Sequence, residues 1–168
     1  MNAAYQHTWS GNWAWGLPLI VLTVIIHAWG LGLINEQLPP VATGEAAEHN
    51  KFLRFGMLMS VITILISMLH GVESAVWAVA YRILGALPDA KTAMLYSLSA
   101  MTTYGHANVY LLPQWQFLGA LESLNGMLLF GVTTAFMFAM IQRVLPPQIH
   151  RRRTQSFRET SEDESTRL

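Results

Sequence analysis

Residues 90–108 read AKTAMLYSLSAMTTYGHAN. The first part, Ala90 to Thr102, is an apolar run behind Pro88, with Asp89 standing where a helix N-cap belongs, so the pattern predicts a helix over 90–102. At 1.5 Å per residue such a helix falls well short of a hydrocarbon core roughly 30 Å thick. A segment that short enters a membrane only where protein covers it or a cavity admits water. The next stretch, TYGHANVYLLPQW, carries Gly105, Asn108 and Pro113 and does not have a helical pattern.

The short run lies between longer ones. Phe117 to Val144, FLGALESLNGMLLFGVTTAFMFAMIQRV, is long enough to span a bilayer, and so is the stretch from Phe52 to Gly85. The second of these would reach about 45–50 Å as one helix and is expected to tilt or project beyond the membrane. A third run, GLPLIVLTVIIHAWGLGLI at 16–34, is the first span in chain order. Trp9, Trp13 and Trp15 precede it and Trp29 lies near its far end, as suits indole rings at the two interfaces.

Composition agrees with this division. Of 168 residues 52% are hydrophobic, only 12% are charged and none is cysteine. A soluble domain carries about a quarter charged residues. Here the charges gather in the loop 36–54, near 82–91 and in the tail after Gln142, leaving long uncharged stretches between them. The missing cysteines exclude disulfides and thiolate metal sites. A net charge of zero gives no footprint for nucleic acid. Residues 1–15 contain no Lys or Arg and the first apolar run lacks a small-residue cleavage site, so the first span is expected to be retained.

Arg143 and Arg151 to Arg153 place the C-terminus in the cytoplasm by the positive-inside bias, and three spans then place the N-terminus outside. The expected organisation is an extracytoplasmic segment 1–15, a transmembrane helix 16–35, a cytoplasmic loop 36–52, a helical module 53–144, and a disordered cytoplasmic tail 145–168. The fold class is all-α, with three transmembrane helices and a re-entrant helix and loop between the second and third.

Span, short helix, glycine-containing segment, span: residues 55–143 in this order resemble the pore module of the potassium-channel superfamily, of the bacterial two-transmembrane kind. AMLYSLSA at 93–100 is similar to that family's pore helix. Thr102-Thr103-Tyr104-Gly105-His106-Ala107-Asn108 stands where the family has T-T-V-G-Y-G-D, and Gly126 to Ala135 looks like its glycine-hinged inner helix. The resemblance does not extend to the first span. It implies an outer helix 53–85, a pore helix 90–102, a filter 103–108 and an inner helix 117–144 with hinge glycines Gly126 and Gly131. It implies further that four copies bring backbone carbonyls of Thr103, Tyr104, Gly105 and His106 to one axis, where they replace the water shell of a monovalent cation, K⁺ or Na⁺. The partners are then the lipid bilayer and three further copies of the chain in a homotetramer, in a bacterial inner membrane, with no cofactor. Ala107 replaces the second filter glycine, His106 the filter aromatic, Tyr104 a small aliphatic residue and Asn108 the outer carboxylate, so the family's potassium selectivity is not expected to carry over.

Several ionisable residues invite more than one reading. His106 either hydrogen-bonds behind the filter or, when protonated, hinders cation flow. His70 and Glu73 share a helix face and are expected to look inward. There they bind the pore helix or filter backbone, or join His106 in a metal site or proton relay. Glu122, in the first turns of the third span, either offsets the charge lost at Asn108 or pairs with a neighbour. Thr133 and Thr134 face an inner cavity or bond the backbone one turn back. Trp77 and Tyr81 are expected to pack rather than to ligate. The leading expectation is a cation-channel subunit with no catalytic residue and no metal site. A non-conducting scaffold or accessory subunit with the same fold, and a metal-dependent membrane enzyme built on His70, Glu73 and His106, are the alternatives.

Overall fold

The computed structural model describes residues 3–37, 51–105 and 108–144. They form helices α1 (Ala3–Gln37), α2 (Lys51–Ile83), α3 (Ala90–Met101) and α4 (Gln116–Val144), with a 3₁₀ turn at Pro113–Trp115. Three of them, over Trp9–Gln37, Phe52–Ile83 and Pro113–Arg143, are long and apolar enough to cross a membrane, whereas α3 has only 12 residues. The chain divides into two units, and the first, Met1–Phe136, holds α1, α2, α3 and most of α4. In the second, the described residues are the last turns of α4, with Arg143 placed to complement the helix dipole.

α1 begins at Ala3 rather than near Gly16, so it takes in most of the segment expected to precede it. Hydropathy marks where a helix turns apolar, not where it starts. Residues 3–15 hold no proline and a single glycine, Gly11, so no strong breaker stops the helix from extending toward the N-terminus. The loop 38–50, the tail 145–168, and His106 with Ala107 lie outside the described residues.

Two helix ends are closed by the same turn. At the end of α2, Gly85 is left-handed (φ 62°), Ala86 N donates to Tyr81 O (2.9 Å) and Gly85 N to Arg82 O (3.2 Å). At the end of α3 the left-handed residue is Thr103 (φ 55°), with Tyr104 N donating to Ser99 O (3.0 Å) and Thr103 N to Ala100 O (3.0 Å). Both are Schellman caps, which favour glycine at the left-handed position. Arg82 Nη1 donates to Leu87 O (2.7 Å) and braces the turn into α3. α3 starts as its sequence predicts: the Asp89 carboxylate accepts from Thr92 N (2.9 Å) and from Thr92 Oγ1 (2.6 Å).

Buried partners give the helix directions. Asn12 Oδ1 accepts from Leu118 N, and fifteen residues further along both helices Thr133 Oγ1 meets His27 Nε2, so α1 and α4 run parallel in one register. His70 pairs with Thr133 and Tyr81 with Glu122, eleven residues on along α2 and eleven back along α4, so those two run antiparallel. Alternating direction is what three successive crossings require. The core gathers Trp77, Tyr81, Leu87, Ala93, Leu118 and Leu121, with Leu19 from α1. The C-terminal end of α3 seats against Gly126 of α4 so closely that a Cβ there would overlap the Met101 carbonyl.

Candidate functional site

Each long helix turns one polar stripe inward. On α1 the buried positions include Asn12, Leu19, Thr23, His27, Leu31 and Ile34; on α4 they include Leu118, Glu122, Asn125, Leu129 and Thr133. Steps of three and four residues keep each set on one helix face. Lipid offers polar groups no partner, so they face one another. The Thr23 hydroxyl donates to Leu19 O (2.9 Å) and accepts from Asn125 Nδ2 (2.8 Å).

The densest of these contacts joins α1, α2 and α4. Glu73 is wholly buried, and its Oε1 lies 2.8 Å from His27 Nδ1. Its Oε2 lies 3.1 Å from His70 Nδ1, yet without hydrogen-bond geometry, so this oxygen has no hydrogen-bond partner. The far nitrogens converge as well: Thr133 Oγ1 is 3.1 Å from His27 Nε2 and 3.2 Å from His70 Nε2. The two imidazole rings are 5.1 Å apart. His27, His70 and Glu73 each offer one ligand atom within 4.8 Å of the others. His27 is 1% exposed, whereas the side chain of His70 is 23% exposed and lines a cavity of about 540 Å³ together with Ser67, Ser74, Met101, Thr103 and Phe130.

A second polar centre holds α3 in place. Glu122, on α4, is wholly buried and accepts from Tyr81 Oη of α2 (2.6 Å) and from Ser97 Oγ of α3 in a very short contact. Ser97 Oγ also lies 2.7 Å from Ser74 O, and Ser74 Oγ donates to Met101 Sδ (3.3 Å). Three helices thus meet at one carboxylate.

Just beyond α3 the described residues are exposed, before Leu111 returns to the core. Thr102, Thr103, Tyr104, Gly105 and Asn108 are all exposed, Tyr104 to 83%, and Gly105 is left-handed (φ 74°). Thr102 Oγ1 donates back to Leu98 O (2.7 Å). No family model, curated protein or solved structure matches this chain.

The residues singled out in the sequence separate into three places. His70 and Glu73 do look inward, but their contacts run to α1 and α4 through His27 and Thr133, not to α3 or to the segment after it. Glu122 pairs with neighbours in the core. Thr133 takes part in the histidine cluster, whereas Thr134 bonds Phe130 O (2.9 Å) one turn back. Gly126 is a packing position and Gly131 meets nothing, while α4 is continuous through both. Trp77 and Tyr81 are buried. Hydropathy missed His27. The available signal was the stripe Asn12, Gly16, Thr23, His27 and Gly30 at helical spacing within an apolar run, which marks the protein-facing side of a membrane helix.

Proposed function

We propose that this chain is the subunit of a passive cation pathway in which four copies surround one axis. The observation that carries the reading is the way α3 is held. A 12-residue helix, too short to cross a bilayer, is fixed by Ser97 to Glu122 and by Met101 to Gly126, and delivers an exposed polar segment at its end. Burying that much polar bonding to position one short helix makes sense where the segment it carries must be placed accurately. Thr103 and Gly105 hold left-handed backbones two residues apart, a local conformation that costs energy for threonine and is met at functional sites. One copy cannot ring an ion, whereas four copies give the carbonyls of such a segment a common axis.

The test is flux. Purified protein in liposomes bearing a potassium or sodium gradient is expected to dissipate it, and native mass measurement to give a tetramer. A tetramer that passes neither ion between about pH 5 and 8 would leave the non-conducting scaffold as the reading. A monomer or dimer would remove the four-fold axis altogether.

A further inference from the structure

We infer that His27, His70 and Glu73 form a binding site for one divalent transition-metal ion of the zinc type, which ties α1 to α2. The inference does not rest on the proposed cation pathway.

The ligand set is two imidazoles and a carboxylate, the nitrogen and oxygen donors that zinc takes. A tetrahedral ion with bonds of about 2.0–2.1 Å keeps its donors roughly 3.3 Å apart. Here both Nδ1 atoms already face the same carboxylate, at 2.8 Å and 3.1 Å. Helix geometry accounts for the convergence. His70 and Glu73 are one turn apart on α2, and His27 reaches them from the buried stripe of α1.

With both imidazoles neutral, the three protons present cannot fill the four contacts among His27, His70, Glu73 and Thr133, so the cluster needs a further positive charge, a proton or a metal ion. Two neutral imidazoles carry two N–H groups. If both nitrogens facing Glu73 hold protons, both Nε2 atoms are acceptors facing Thr133, whose hydroxyl has one proton to give. One nitrogen is then unsatisfied, and Glu73 Oε2 has no hydrogen-bond partner although the residue is wholly buried. An ion on the two Nδ1 atoms and the carboxylate supplies that charge, as a second proton on one imidazole would, and titration with Zn²⁺ separates the two. The ion engages the carboxylate, sets each histidine as the Nε2–H tautomer, and lets the two N–H groups donate to the two lone pairs of Thr133 Oγ1. Metal-bound histidines regularly donate the second nitrogen to such an outer partner. His70 opens onto the cavity beside α3, which gives the ion a way in and leaves a further coordination position for water.

The test uses the whole 168-residue chain in detergent, stripped with a chelator and then titrated with Zn²⁺. One equivalent per chain retained after desalting is expected, with an upward shift of the thermal midpoint. A folded wild-type chain that retains less than one equivalent overturns the inference, and so does an equivalent that survives in His27→Asn/His70→Asn, because other histidines would then be the ligands. His70→Asn, at the part-exposed ligand, is the variant expected to stay folded while losing the ion. Thr133→Val keeps all three ligands and is expected to weaken binding about 10–100-fold. Unaltered affinity in that variant would overturn ligation through Nδ1.

Discussion

Tyr81 Oη lies 2.6 Å from Glu122 Oε2, both residues wholly buried, and Ser97 of α3 reaches the same carboxylate from the other side. Removing the carboxylate strands the Tyr81 hydroxyl, leaves Ser97 with Ser74 O alone and opens a cavity, whereas removing the phenol hydroxyl strands one carboxylate oxygen. Glu122→Ala is expected to destabilise more than Tyr81→Phe, and Glu122→Gln, which can still accept from one hydroxyl, to fall between them. Hydrogen bonds between membrane helices are worth about 0.6 kcal/mol on average and up to about 1.7 kcal/mol. The double-mutant coupling of Tyr81→Phe with Glu122→Ala should lie in the upper half of that range, because neither group has water to turn to. Unfolding in mixed micelles measures it, and additive effects would show that the bond contributes nothing.

Gly126 and Gly131 separate a packing role from a hinge role. A Cβ at 126 meets the Met101 backbone, which cannot swing aside as a side chain could, while one at 131 meets nothing. Gly126→Ala is expected to cost on the order of 1–3 kcal/mol or more, the range for overpacking. Gly131→Ala should be neutral or slightly stabilising, since alanine is the better helix former by about 1 kcal/mol. If α4 bends at 131 during gating, Gly131→Ala alters flux without lowering stability. Thermal midpoints of the two variants, set beside liposome flux, distinguish the roles.

The outlines of α2, α3 and α4 were legible in the sequence because each is bounded by a local signal: Gly85 and Pro88, Asp89, and Pro113. The inward turn of His70 and Glu73 was legible too, from the cost of ionised groups in lipid. Their partners were not. His27 lies 43 and 46 residues away on a run whose mean hydropathy marks it only as a span, and no local pattern says which neighbouring helix will receive it. The same holds for Glu122. Pairing with a neighbour was one of two readings its position allowed, but that Tyr81 of α2 and Ser97 of α3 are the neighbours follows only from the packing. Local signals give elements, and pairing across a hundred residues is decided by packing.

Asp89 gives a pH dependence whose sign is set by its contacts. The hydrogen bonds from the Thr92 hydroxyl and then from the Thr92 amide favour the carboxylate and hold its pKa below the ordinary value near 3.8. A group whose folded pKa is depressed contributes stability above its unfolded pKa and loses it as pH falls through the folded value. The difference in thermal midpoint between wild type and Asp89→Ala should be constant above about pH 5 and shrink on further acidification. Asp89→Asn keeps an acceptor for the Thr92 amide and should show no such dependence. A difference that stays constant down to pH 2.5 or so would mean that the cap does not act through its charge.

Thr103 occupies in the cap of α3 the place that Gly85 occupies in the cap of α2, with the same two backbone hydrogen bonds. A left-handed backbone costs a residue with a Cβ roughly 1–2 kcal/mol, and glycine nothing. Thr103 is exposed and its Cβ is not needed for packing, so Thr103→Gly is expected to stabilise the fold by about 1 kcal/mol, less the extra entropy glycine brings to the unfolded chain. Threonine at such a position is explained if its hydroxyl serves the ion pathway. Thr103→Gly should then combine a higher thermal midpoint with reduced flux, and Thr103→Ser, which restores the hydroxyl, should recover the flux without the gain in stability. Loss of both stability and flux in Thr103→Gly would show instead that the threonine side chain holds the turn, and unchanged flux would remove it from the pathway.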